Sequence, residues 1–294
     1  IKITKVGVRS PKKYKGLLPE KLLTTDINSI LTDPDIDIIV EVMGGETPAF
    51  DYICTALSNK KYVVSANKEV ISKHKKIFFN LAKENNIDIY FEASVGGGIP
   101  IIRSLKVGLA ANRIDHIAGI LNGTTNYILT KIEEEKESFN TILKNAQKAG
   151  FAEANPSMDV DGIDAAHKLV ILTAVAFKAD VQLSDIYVEG IRHITLTDIE
   201  HAHALGYKIK LLALGSQSSN NTISLRVHPT LIPKEHLLAN INNEFNAAYI
   251  SGNAVGDVLL SGKGAGGSPT GSAIVSDIID IAFDISQKVN RRNL

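Results

Sequence analysis

Short apolar runs alternate with amphipathic helical stretches through the first third of the chain, and few folds accept that rhythm. The strand-like runs are IKITKVGVR at the start, DIDIIVEV at 35–42, YVVSA at 62–66 and IDIYFEA at 87–93. Between them, ETPAFDYICTALSNK (46–60) and KEVISKHKKIFFNLAKEN (68–85) place apolar residues three and four apart, with lysines on the other face. Strand, helix, strand, helix predicts βαβ units and a parallel sheet covered on both faces. Pro48, close to the start of the first predicted helix, sits where its missing N–H does no harm.

Beyond VGGGIP (95–100) the texture changes. IDHIAGIL reads as a strand ending at LNGTTNY, helices follow to Ala149, and the turn-rich AGFAEANPSMDVDG comes next. The small and apolar residues of GIDAAHKLVILTAVAFKA (162–179) predict a buried helix. Strand patterning returns in YKIKLLALGS and NTISLRVHPTLI (207–232), so this region is expected to form a second, α+β domain. The glycine-rich SGKGAGGSPTGSA (261–273) leads into an apolar helix, IVSDIIDIAFDISQKV, expected to pack back on the first domain. The predicted organisation is a discontinuous first domain, residues 1–99 with 264–294, and a second domain of residues 100–263.

Composition removes several function classes. The 294 residues carry 32 Lys+Arg against 32 Asp+Glu, so no global positive charge is available for a phosphate backbone or an anionic lipid surface. Neither nucleic acid nor a membrane is an expected partner. The absence of Trp argues further against base-stacking platforms. No apolar run approaches the roughly 18 residues of a membrane span, and the opening has no signal-peptide core, so a cytoplasmic protein is expected. The lone Cys54 fits a reducing compartment, forms no internal disulfide, and lies inside a helical pattern where packing is the expected role. His201 and His203 stand two apart and share no helix face, so they are read as structural.

A doubly wound dinucleotide domain opens with a strand running into G-x-G-x-x-G, whose glycines let a pyrophosphate approach a helix N-terminus. This chain has no such motif. It begins on what reads as the second strand, and the first βα unit is expected to be absent from it. At the end of that strand stand Arg9, Ser10, Lys12 and Lys13, where an Asp or Glu would hold the ribose hydroxyls of NAD. Cations there favour a 2′-phosphate, hence NADP over NAD; a solvated basic turn is the alternative.

The stretch richest in chemistry is AQKAGFAEANPSMDVDGIDAAHK, residues 146–168. Asp164 and Lys168 are four apart on the predicted buried helix and share one face, while Glu153 and Asp159 lie on the loop entering it. Three carboxylates and one amine are expected to converge. Taken alone, an Asp-x3-Lys pair would be a surface salt bridge. The fixed spacing of Ala146, Gly150, Phe151, Ala152, Asn155, Pro156, Asp159, Val160, Gly162, Asp164 and Lys168, however, resembles the signature of the homoserine dehydrogenase family. Likeness to that family extends over nearly all of the chain.

The resemblance implies an α/β fold, a Rossmann-like doubly wound nucleotide-binding domain joined to an α+β catalytic and dimerisation domain, and a homodimer through the sheet of the second domain. It implies two catalytic lysines, Lys168 and Lys68. Lys68 opens a helix straight after a strand, at the carboxyl edge where ligands bind, and a cation at the positive end of a helix is locally unfavourable. Glu153, Asp159 and Asp164 would orient the substrate and its ammonium. GILNGTTNYIL is similar to the family's substrate loop, with Gly123 and Thr124 offering backbone amides and a hydroxyl; Phe151 stands where some relatives have Tyr. Gly44 and Gly45 in EVMGGETP are implied beside the nicotinamide ribose, and Gly264 and Gly266 as a late cofactor contact, completing with Arg9 and Lys68 the cofactor set. In EASVGGGIPII the resemblance implies a monovalent cation site, for Na⁺ or K⁺, from Glu92 and the main-chain carbonyls of Val95, Gly97 and Ile99; composition alone reads equally as a flexible turn.

The function expected is reversible, NAD(P)H-dependent reduction of L-aspartate 4-semialdehyde to L-homoserine, a step of threonine and methionine synthesis, with Lys168→Ala abolishing turnover and leaving thermal unfolding almost unchanged. An aspartate-semialdehyde dehydrogenase would need a nucleophilic cysteine, and Cys54 is wrongly placed. The alternative from another class is a non-catalytic remnant or binding module without the phosphate-binding turn. No appended regulatory domain is expected after the short basic tail.

Overall fold

The structure, a computed structural model, describes residues 1–289; the basic tail at Arg291 and Arg292 lies outside the described residues. The described chain divides into two compact units, Ile1–Phe91 with residues 274–289, and Glu92–Ala273.

In the first unit the elements are β1 (Val6–Gly7), β2 (Leu23–Thr24), the short helix α1 (Asn28–Leu31), β3 (Ile38–Glu41), α2 (Ala49–Ser58), β4 (Tyr62–Ser65), α3 (Lys68–Asn85) and β5 (Ile89–Tyr90). β3, β4 and β5 form a parallel three-stranded sheet in that order, with Ile38 opposite Tyr62 and Val63 opposite Ile89. Its inner residues Val63, Val64 and Ile89 are fully buried. Parallel strands need crossover helices, and α2 and α3 supply them. α2 buries Ala49, Ile53, Ala56 and Leu57; α3 buries Val70, Ile71, Phe78 and Ala82. The second crossover starts on its Asn67 cap, whose side chain accepts from the Val70 N–H at 3.2 Å, and stops where Asn86 adopts a left-handed backbone.

The opening strand is shorter than its patterning predicts. Only Val6 and Gly7 pair, parallel to Leu23 and Thr24, in a two-stranded sheet separate from the three-stranded one. Ile1 and Ile3 are 83% and 66% exposed. Alternating apolar residues mark a strand only where a neighbouring strand and a core receive them.

The second unit continues with α4 (Ile101–Arg103), β6 (Ile114–Ile120), α5 (Gly123–Glu135), α6 (Phe139–Lys148), α7 (Ser157–Val160), α8 (Ile163–Ala176), β7 (Tyr187–Val188), α9 (Leu196–Ala204), β8 (Tyr207–Gln217), β9 (Ile223–Pro233), β10 (Phe245–Gly252) and β11 (Gly256–Lys263). A final helix, α10 (Gly267–Gln287), runs into the first unit's segment. Six strands form one sheet in the order β11-β10-β6-β8-β9-β7, antiparallel except for β7 on β9. The expected buried helix is α8, apolar on nearly all sides, with Leu169 and Phe177 against Gly215 of β8. The opposite sheet face carries a second cluster, Ile120, Leu212, Ile232, Leu238, Ala239 and Ala247, flanked by the partly buried Ala118, Leu214, Tyr249 and Leu259.

No strand was expected over β10 and β11. FNAAYISG and GDVLLSGK carry Ala, Asn, Asp and Gly at positions that β propensity disfavours, and the pairing of β10 with β6 supplies what the local sequence lacks. No described helix is long and apolar enough to cross a membrane.

Candidate active site

In the second unit the chemistry gathers where β6 ends and α5 begins. The chain leaves the strand at Leu121, and Asn122 caps α5, its Oδ1 accepting from the Thr125 N–H at 2.8 Å. The same side chain points its amide the other way. Nδ2 donates to Asp159 Oδ1 at 2.7 Å and to Asp164 Oδ2 at 2.8 Å, so one Asn holds two carboxylates from two other elements. Asp164, in the first turn of α8, accepts from Lys168 Nζ at 2.7 Å, and Lys168 also donates to the Leu121 carbonyl at 2.6 Å. The side chains of Lys168 and Asp164 are 11% and 5% exposed. This is a buried ion pair, unlike the surface bridge that the same spacing usually makes.

The backbone of the signature loop makes this geometry possible. Gly162, with φ +83°, takes the left-handed turn that lets α7 end and α8 start within two residues. From outside, Arg192 forks onto both oxygens of Asp161 and onto Ser157 Oγ, fixing the loop from the strand side. Burial pushes the Asp159 carboxyl above the usual range; the Asn122 bond opposes that shift, the charge of Asp164 adds to it and Lys168 counters it.

Of the predicted substrate residues, then, Asp159, Asp164 and Lys168 converge and Glu153 does not. Its side chain is exposed and has no hydrogen bond among the described residues; its carbonyl accepts from Gln147 instead. The convergence is of two carboxylates with one amine, because Glu153, Ala154 and Asn155 face outward. The Thr124 hydroxyl donates to the Phe151 carbonyl at 2.9 Å, and the exposed Phe151 ring stacks on Tyr127 at 4.4 Å between centroids. A Cβ on Gly123 would meet the Glu244 carbonyl at 2.8 Å, so only glycine lets α5 start this close to the chain entering β10. The expectation that Lys168→Ala leaves thermal unfolding almost unchanged does not survive the burial of the pair: truncation strands Asp164 in the interior.

Within the first unit, candidates stand at carboxyl ends of parallel strands, the edge that binds ligands in such sheets. Arg9 follows β1 and is exposed. Gly44 and Gly45 follow β3 with φ of +74° and +73°, and a Cβ at either would meet nothing within 4 Å. Lys68 follows β4 as the first residue of α3 and is half-buried. This edge is braced by residues the sequence reading passed over. The buried Glu41 accepts from the Met43 N–H at 2.7 Å and from Ser65 Oγ at 2.6 Å, and Asn67 Nδ2 donates to the Gly45 carbonyl at 2.6 Å. Glu46 bonds Lys73 and His74, each at 2.7 Å, which hold its carboxyl below the usual range. The available signal was Glu41 itself, a carboxylate closing an otherwise apolar strand.

The loop assigned to a cation is committed elsewhere in part. Glu92, 5% exposed, accepts from the Ile102 and Arg103 backbone N–H groups at 2.9 and 2.7 Å, capping α4. Desolvation pushes its carboxyl up, and these backbone bonds pull it back. The Ile99 carbonyl accepts from the Ile101 N–H at 2.8 Å. Carboxylate and carbonyl oxygens accept more than one partner, so donors of this type suit a monovalent ion. No cluster of three His, Cys, Asp or Glu side chains suited to a metal occurs among the described residues. Gly264 is glycine for packing: a Cβ there would lie 2.1 Å from Asn246 Cγ, and one on Gly97 would lie 2.5 Å from the Gly264 carbonyl. Gly266 has φ +112°. Cys54 sits within α2, and burial pushes its thiol up, the opposite of nucleophile activation.

Residues 100–279 match the family model described as homoserine dehydrogenase, and residues 1–92 match the homoserine dehydrogenase NAD binding domain. The chain belongs to the homoserine dehydrogenase family. Homoserine dehydrogenase of Synechocystis is 47% identical over 285 residues, which is 96% of this chain and 66% of the relative. The chain thus spans just under two thirds of that curated relative's length. A crystal structure of a homoserine dehydrogenase from Thiobacillus denitrificans matches with a TM-score of 0.94 at 44% identity, covering 98% of this chain and 67% of that one. A hyperthermophilic archaeal homoserine dehydrogenase in complex with NADPH matches with a TM-score of 0.77 at 30% identity, covering 88% of this chain and 75% of that one. The fold expected from the resemblance, an NAD-binding Rossmann-type domain with an α+β catalytic domain, is the fold of the homoserine dehydrogenase family.

Proposed function

We propose that this chain carries out the homoserine dehydrogenase reaction, the reversible reduction of L-aspartate 4-semialdehyde to L-homoserine, in the cytoplasm and as a homodimer through the six-stranded sheet. The observation that carries the reading is the arrangement at Lys168. An ammonium has three N–H donors. Two are spent on Asp164 and Leu121, and the third has no partner among the described residues. That donor is free for a substrate oxygen.

Bound NAD(P)H supplies the hydride to the aldehyde carbon. The chain's own part is to hold the substrate and manage the proton. Lys168 donates to the oxygen as negative charge develops on it and gives up a proton, which solvent then replaces; Asp164 holds Lys168 in place throughout. Asp159, anchored by Asn122, takes the substrate ammonium. Glu153, exposed on its loop, is assigned to the same ammonium and would have to turn inward from solvent to reach it; Gly123, Thr124 and Phe151 border the substrate. Lys68 is the second catalytic lysine. For the cofactor, Arg9 meets a 2′-phosphate, and the open backbone at Gly44 and Gly45 leaves room for the ribose; Gly264 and Gly266 make the late contact. Glu92 with the carbonyls of Val95, Gly97 and Ile99 holds a Na⁺ or K⁺ ion.

The test is homoserine-dependent reduction of NADP⁺ and NAD⁺ by the full-length protein, followed at the nicotinamide absorbance. Turnover is expected with both and faster with NADP⁺; its absence in folded protein would sink the reading. Arg9→Ala should raise the KM for NADP⁺ by about tenfold, the equivalent of roughly 1.4 kcal/mol of charge-assisted bonding to phosphate, and leave that for NAD⁺ within about twofold. An equal rise for both cofactors removes Arg9 from phosphate recognition. At constant ionic strength, replacing choline by Na⁺ or K⁺ should raise both turnover and the unfolding temperature, as a ligand of the native state does. A flat response in both counts against the ion.

A further inference from the structure

One cationic side chain of the second unit is buried with no carboxylate partner among the described residues. Lys210, in the middle of β8, is 1% exposed. Its ammonium donates to Asn126 Oδ1 at 3.0 Å, the Ile241 carbonyl at 2.6 Å and Asn242 Oδ1 at 3.1 Å. All three acceptors are neutral, and the nearby carboxylate of Glu133 is paired with Lys208 at 3.4 Å. Burial pushes the amine down to about 8, Lys208 adds to the shift, and Glu133 and Glu134 oppose it. An ammonium kept there costs stability that a Met of similar length would not, so its presence calls for something that the charge and its three donors do.

They fasten the segment before β10 onto α5. Asn126, also 1% exposed, accepts from Lys210 and donates to the carbonyls of Ile241 at 3.1 Å and Phe245 at 3.0 Å. One turn further along, Thr130 Oγ1 accepts from the Asn243 N–H at 3.1 Å. The segment 241–245 therefore lies along the first two turns of α5, and Glu244 passes against Gly123 at its start. That first turn begins on Asn122, whose amide sets the places of Asp159 and Asp164.

We propose that Lys210 and Asn126 are positioning residues for the substrate site: by clamping the 241–245 segment onto α5 they hold Asn122 in register with Asp159 and Asp164. The proposal rests on the function given above. It assigns to the pair no contact with substrate.

The experiment compares Lys210→Met and Asn242→Ala with the unaltered protein, by homoserine-dependent NADP⁺ reduction and by amide hydrogen exchange. Lys210→Met should raise the KM for L-homoserine by about tenfold, a displacement effect, while the KM for NADP⁺ stays within about twofold. Exchange at the Thr125 and Asn126 amides should quicken by about tenfold with that of β4 unchanged, the mark of local opening. Asn242→Ala, which removes one acceptor and leaves the amine buried, should move both in the same direction by less, and decides the matter if Lys210→Met does not fold. An unchanged KM for L-homoserine overturns the proposal whatever the exchange does, and so does an equal rise for NADP⁺. Should the unaltered protein show no turnover, the functional reading fails separately; exchange then decides whether Lys210 holds the first turn of α5, and unchanged exchange rejects it.

Discussion

Lys168→Ala is expected to abolish homoserine oxidation and, in the same protein, to lower stability by about 3–5 kcal/mol, the usual cost of breaking a buried ion pair from one side. The substitution removes the group proposed to donate the proton. It also leaves the Asp164 carboxylate, 5% exposed, without its ammonium partner, and takes the donor from the Leu121 carbonyl. Against a total stability of about 5–15 kcal/mol this is a large fraction, visible in thermal or denaturant unfolding. A double variant separates the two effects. Lys168→Met with Asp164→Asn removes both charges of the pair, so most of the stability should return while turnover stays absent. Turnover in Lys168→Ala, measured in protein shown to be folded, would remove this lysine from the mechanism; unchanged stability would mean that Asp164 is better solvated than its burial indicates.

Asn122→Ala should cut kcat/KM for L-homoserine by about 10²-fold, the penalty typical of displacing a substrate-positioning group by an ångström or so. Two losses coincide. The helix loses its cap, worth about 1 kcal/mol, and the two carboxylates lose the amide between them. Asn122→Ser distinguishes these losses, because serine caps a helix as well as asparagine yet cannot reach both Asp159 and Asp164. Stability should return with Ser and activity should not. Recovery of both would reduce Asn122 to a helix cap and leave the carboxylates positioned by their own loop.

Much of this site was legible in the order of residues. Asp164 and Lys168 meet because a helix brings every fourth residue to one face, and α8 is a helix because its apolar residues leave it no exposed side. α3 begins at Lys68 where Asn67 offers a cap, and α2 and the parallel strands follow from local periodicity. Local rules act between neighbours along the chain, so a reader of the chain can apply them.

What lay beyond that reading involves pairs far apart in sequence. Nothing in Asn122 announces that its amide will meet Asp159 and Asp164, nothing in Lys210 that it will be buried against Asn126 and the 241–245 segment, and β10 and β11 become strands only because β6 offers an edge. Glu153 failed to join the cluster for the converse reason: it is near Asp159 along the chain, but the loop turns its side chain to water. The sequence alone determined the alternation of strands and helices, the shared face of Asp164 and Lys168, and the family signature, since each depends on spacing. Only the tertiary structure decided which of those groups are buried, and burial turns an ordinary surface ion pair into one whose charge, partners and free N–H are fixed.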